Sequence, residues 1–195
     1  LGPSGAYFDV VIGAARLRET ISLVPGVLDD EGYLVVEIFD NTLSEYIDRT
    51  YGRLPIDLHG EGGVRFVGVG PLVLNGNSDF TGGVIVEAGE LLVDSETALG
   101  TGDVEIRGGT LRLNHAAIDD RASLRLSDKL QDGAVHLGFT GTDALRTLQI
   151  GDTVQGCGTW GGIASEATFV DPRFSGPGML ELGAEPSDDC KAKGR

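Results

Sequence analysis

Pairs of apolar residues separated by one position recur along this chain every 20 residues. Val64/Phe66, Val84/Val86, Val104/Ile106 and Leu124/Leu126 form one series, with a step of 20 residues each time. Leu72/Leu74, Leu91/Val93 and Leu111/Leu113 form a second, with steps of 19 and 20. Spacing of i and i+2 places side chains on one face of a strand. A helical repeat would show a period of 3.6, and an antiparallel meander needs no constant period. A coil that returns to the same place each turn does need one. The expected fold is therefore all-β: a right-handed parallel β-helix (β-solenoid) with coils of about 20 residues. Each strand would stack on its equivalent ~4.8 Å along the axis, with parallel pairing. The i and i+2 side chains then build apolar columns inside, and the residue between them points outward. The outward column of the first series is Arg65, Ile85, Glu105 and Arg125, which sets Glu105 beside Arg125.

Glycine supports this reading. The chain of 195 residues holds 31 glycines, more than twice the usual share of about 7%, without a collagen period. Many fall between the apolar pairs, where a coil must turn. A helix cannot tolerate that density, and a strand stack can.

After Leu126 the ladder continues with altered spacing through Val135/Leu137, Leu148/Ile150 and Leu180/Leu182. The stretch 156–177 carries Trp160, Phe169 and Phe174 among glycines and prolines. It is expected to form longer loops, or a coil of different shape. Towards the N-terminus, Phe8 to Ile12 and Leu34 to Ile38 read as strands. Thr42 and Glu45 have capping-box spacing, which predicts a short capping helix from Leu43 to Thr50. An open first coil would expose apolar columns and strand edges, so it needs a cover. Residues 1–55 are thus assigned to early coils and this N-terminal cap, 56–183 to the solenoid, and 184–195 to a polar tail or linker.

The segment from Gly70 to Leu91, with Leu72, Leu74, Gly76, Asn77, Phe80, Gly82, Gly83, Val86 and Gly89, resembles the autotransporter-associated β-strand repeat. Phe80 stands where that family usually has tyrosine, and Val84 fills a slot usually held by threonine. Ala98 to Gly102 and Gly108 to Leu111 look like its continuation. The resemblance covers roughly Ile56 to Leu182. It implies a passenger-type parallel β-helix of a bacterial secreted or cell-surface protein, and it brings no catalytic residues with it. The expected function is a non-catalytic structural or display module. The alternatives are a carbohydrate-binding accessory module of a polysaccharide-degrading enzyme and a small polysaccharide lyase or glycoside hydrolase.

Charge narrows the partners. The net charge is −15, and Lys129, Lys191 and Lys193 are the only lysines. Such a chain repels phosphate backbones, which argues against nucleic acid, and an anionic membrane surface is disfavoured for the same reason. No apolar run reaches the ~18–20 residues of a membrane span. The partners left are polysaccharide, neighbouring domains of a longer chain, and Ca²⁺ as an acidic-surface ligand.

Chemistry-bearing motifs are sparse. The sequence contains no G-x-S-x-G elbow, no P-loop and no H-E-x-x-H. His59, His115 and His136 lack a second histidine or cysteine at ligand spacing, so no cofactor or metal is expected there. They read as surface residues. Asp119-Asp120 follows a strand at a turn, a place where paired acids hydrolyse glycosides or bind Ca²⁺ but also where they simply form turns. Trp160, Tyr46 and Tyr51 are the candidates for sugar stacking, against packing roles at the two ends. Cys157 and Cys190 are too few for a zinc site and are a candidate disulfide.

Overall fold

The structure is a computed structural model that describes residues 20–23, 33–36, 52–54, 57–67 and 71–183. Among the described residues every regular element is a strand. The strands form a parallel β-solenoid, and each coil has three sides.

The first side stacks Tyr33–Val36, Gly63–Phe66, Val84–Val86, Val104–Ile106, Ser123–Leu126 and Thr147–Ile150 in parallel. Its inward columns are Val64, Val84, Val104, Leu124 and Leu148, and Phe66, Val86, Ile106 and Leu126, all buried. The second side stacks Gly52–Leu54, Pro71–Leu74, Glu90–Val93, Thr110–Leu113, Val135–Leu137 and Phe174–Ser175, also in parallel. Leu72, Leu91, Leu111, Val135 and Phe174 form one of its inward columns. Burying each large apolar side chain contributes about 1.5–3 kcal/mol, so repetition of the columns is what holds the coils together.

The third side is less regular. Thr20–Leu23 pairs in parallel with Asp57–Gly60. The chain then leaves strand geometry but keeps its stacking. Asp79 and Thr81 donate their amides to Leu58 and Gly60 at 3.0 Å each, and the Thr101 amide reaches the Phe80 carbonyl at 2.9 Å. Phe80, Leu99 and Ile118 are buried along this side. Strand pairing resumes where Thr142–Leu145 lies parallel to Met179–Leu182.

Close stacking explains the corner glycines. A Cβ on Gly82 would sit 2.4 Å from the Gly62 carbonyl carbon, and one on Gly102 would sit 2.3 Å from the Gly83 nitrogen. Both contacts are with backbone of the adjacent coil, which cannot swing aside.

The ladder loosens after Leu126 for a visible reason. Val135 stacks on Leu111 and Leu148 on Leu124 after steps of 24 residues, because the turns are longer. Phe174 reaches Val135 only after 39. Within that detour the chain reverses direction. Thr153–Val154 runs antiparallel to Thr147–Ile150, and Gly158–Gly161 runs antiparallel to Met179–Leu182. Phe169–Val170 forms the outer edge beside Gly158–Gly161.

One side-chain expectation is corrected. Glu105 and Arg125 are backbone partners on adjacent coils, as the register requires. Their charges nevertheless go elsewhere: Glu105 is held by Arg107 at 2.8 Å, and Arg125 by Asp103 at 2.9 Å. Arg107 lies two residues along on the same outward face and reaches both Glu105 and Glu87, so it outcompetes the cross-coil partner. The expected strand Phe8 to Ile12 and the capping helix Leu43 to Thr50 lie outside the described residues.

Candidate functional site

Polar side chains on the outer surface repeat with the coil. Asp57 accepts the Asn77 amide at 2.7 Å, and Thr97 donates to Asn77 at 3.4 Å. The side chain of Asn114 donates to Asp94 at 3.0 Å, and Arg107 to Glu87 at 2.9 Å. Each pair is 20 residues apart. These hydrogen bonds run along the solenoid axis and consume most of the polar groups they involve. Arg107, between two acids, is held above its ordinary value, chiefly by its hydrogen bonds to Glu105.

The histidines follow the same pattern. His59 Nδ1 lies 2.5 Å from Asp79 Oδ1, one coil on. His115 lies 3.9 Å from Asp94. His136 Nδ1 is 3.1 Å from the Ser175 hydroxyl. Partial burial, and secondarily the charge of Arg112, hold the His136 imidazole below its usual value. Each histidine thus has a neighbour on another coil. Among the described residues no three His, Cys, Asp or Glu side chains converge in a way that would hold a metal.

The acid pair is split by the fold. Asp119 Oδ1 accepts the Arg121 amide at 2.9 Å and its carbonyl accepts the Ala122 amide at 2.8 Å, the hydrogen bonding of an Asx turn. Asp120 is exposed. A different acid is perturbed. Asp143 is 4% exposed and accepts the amides of Ala117 and Ile118 through one oxygen, at 3.0 and 3.2 Å. Burial pushes its carboxyl up to about 6 despite those hydrogen bonds, and the charge of Asp120 adds to the rise. A carboxyl tuned this way elsewhere serves as a general acid. Here it faces the coil interior and supports backbone amides, so it is placed as a structural group.

Trp160 is occupied at the C-terminal end. Its indole N–H donates to the Gly156 carbonyl at 2.9 Å, and its ring stacks on Phe169 with centroids 4.8 Å apart at 24°. It also packs against the core cluster. Tyr46 and Tyr51 lie outside the described residues. Cys157 is disulfide-bonded, and Cys190 lies outside the described residues.

A cluster of charged residues lies at the corner between the third side and the first. Glycine removes side chains there, because Gly82 and Gly102 carry the chain past the neighbouring coil. A shallow groove of about 400 Å³ results, lined on one part by Thr81 and Thr101 and on another by Arg121, Arg125 and Arg146. Asp103 organises the arginines. Its carboxylate meets Arg125 at 2.9 Å and Arg146 at 3.4 Å, and it accepts the Ser123 amide at 2.8 Å. Arg146 also donates to the Ser123 hydroxyl at 3.0 Å. No short motif marks this cluster. Reading polar residues, as well as apolar ones, at the coil spacing would have flagged Asp103 and Ser123, which are 20 residues apart.

No family model, curated protein or solved structure matches this chain.

Proposed function

We propose that the chain is a non-catalytic structural or display module of a bacterial secreted or cell-surface protein, of the kind found in autotransporter passengers. The observation that supports this reading is the self-pairing of the outer surface. Among the described residues the side chains of Asp57, Thr97, Asn114 and Arg107 each meet a partner 20 positions away, one coil along the stack. Such pairs are exposed and each contributes little, about 0.2–1 kcal/mol. Their effect is to fix register, which is what a spacer of defined length requires. The local motif from Gly70 to Leu91 adds the secreted or surface setting.

The reading makes a modular demand. In a stack where each coil touches only its neighbours, one coil should be dispensable. Excision of residues 84–103 joins Gly83 to Val104 in register. A cooperative unfolding transition with the same β-type circular dichroism is the expected result. A panel of polysaccharides, tested with and without Ca²⁺, is expected to show no product release. Product release from any of them would overturn the reading in favour of a lyase or hydrolase.

A further inference from the structure

We infer that the corner groove formed by Arg121, Arg125 and Arg146 binds the carboxylate of an acidic sugar. The inference does not depend on the scaffold reading, since a non-catalytic module can hold a ligand.

The chain as a whole carries −15, yet three guanidiniums gather in one groove. Asp103 is shared between Arg125 and Arg146. Glu105 also lines the groove, but Arg107 engages both of its oxygens, at 2.8 and 3.2 Å. Among the described residues Arg121 makes no ion pair, and it is exposed. Among the residues that line the groove, three guanidiniums thus stand against the carboxylates of Asp103 and Glu105.

Geometry favours a planar anion. Guanidinium forks match a carboxylate with two parallel hydrogen bonds. Asp103 and Ser123 hold Arg146 from two directions, which limits the ordering cost of binding. A large polyphosphate would meet repulsion from the acidic surface around the groove, whereas one carboxylate at the arginines would not.

The rest of the groove suits a sugar ring. Thr81 and Thr101 stand in register on adjacent coils and offer hydroxyls beside a floor of Gly82 and Gly102. Arg121 follows Thr101 by a further 20 residues and lines the same groove. The groove thus sets threonine hydroxyls and guanidiniums together, the two kinds of group that a uronate's ring hydroxyls and carboxylate require. The same carboxylate can come from a free uronate or from a chain of them.

The test is chemical-shift titration of the whole chain with glucuronate, with a tri-uronate, and with a neutral trisaccharide of equal length. Saturable shifts centred on Arg121, Thr101 and Arg146 are expected with an acidic ligand at millimolar concentration. Tighter binding of the tri-uronate identifies a chain as the source, and equal binding identifies the single sugar. Arg121→Gln and Arg146→Gln should each weaken binding about tenfold, the loss expected for one charge-assisted contact. Arg112→Gln, on the second side, should leave it unchanged. Arg121 has no ion-pair partner to lose, so R121Q keeps the test valid if R146Q unfolds. Absence of shifts, equal binding of the neutral sugar, or unaltered binding by R121Q would each overturn the inference. None of these results bears on whether coil excision preserves the fold.

Discussion

Asp143 Oδ2 accepts the Ala117 amide at 3.0 Å from a position only 4% exposed. This contact and its twin to Ile118 satisfy two amides in a stretch that has left strand geometry. Removing the acceptor strands both donors in the interior. Asp143→Ala should cost about 2–6 kcal/mol, from roughly 1–3 kcal/mol for each of the two orphaned amides. Urea denaturation measures it. Asp143→Asn keeps an acceptor and should cost less.

The same residue sets a pH dependence with a definite sign. Its folded value of about 6 exceeds the ordinary 3.8, so the folded state holds the proton more tightly. Stability contributed by Asp143 should therefore rise as pH falls from above 6 towards 4. It should be absent above that window. The full span is on the order of 3 kcal/mol. His136 works in the opposite sense: its value is lowered, so acidification through 6.5 costs stability. The clean measurement is the difference between the parent and Asp143→Asn across pH 4–8, which removes the histidine contribution.

Corner glycines should not accept a methyl group. Gly102→Ala places Cβ 2.3 Å from the Gly83 nitrogen, and the coils must separate or bend. A loss of about 1–3 kcal/mol or more is expected, read as a fall in melting temperature. Gly156→Ala is the control, since nothing lies within 4 Å of its Cβ. It should stay within about 0.5 kcal/mol.

Column residues should be costly to truncate and end residues should not. Leu111 is 0% exposed between Leu91 and Val135, and Leu111→Ala should cost about 2–5 kcal/mol. Ile163 is 93% exposed, and Ile163→Ser should change stability by less than about 0.5 kcal/mol. Guanidinium melts of the two variants give the comparison.

Trp160 is the only tryptophan, so its fluorescence reports the C-terminal end alone. Its packing against the core ties that end to the last coils. Fluorescence and far-ultraviolet dichroism should give coincident unfolding curves, the signature of one cooperative unit. Trp160→Phe keeps a ring for Phe169 but loses the hydrogen bond to Gly156, and should cost about 1 kcal/mol.

Two of the three sides were legible in the sequence, because their inward positions are large, apolar and strictly alternating. The third was not. Its inward residues include Ser78, Ala98, Ala117 and Asp143 beside Phe80 and Leu99, so size and polarity vary from coil to coil. Its backbone is largely turn, which weakens any period-2 pattern. The corner groove was hidden for a related reason. Asp103, Arg121, Arg125 and Arg146 come from three successive coils, and no local window contains them together. The Glu105–Arg125 register was readable, but the ion pairs were not, since they depend on which long side chain reaches first. At the C-terminal end the aromatics marked irregularity correctly, while the detour to Phe174 could not be counted from spacing.

The reversal of direction near Trp160 has a consequence for assembly. A ladder of parallel strands offers an end on which another copy could keep adding, as filaments do. On the third side Gly158–Gly161 pairs antiparallel with Met179–Leu182, and the outer edge strand Phe169–Val170, parallel to Gly158–Gly161, therefore has the wrong polarity for that addition. A second copy stacked head to tail here would meet a reversed edge on the first and third sides and a parallel one, Phe174–Ser175, only on the second.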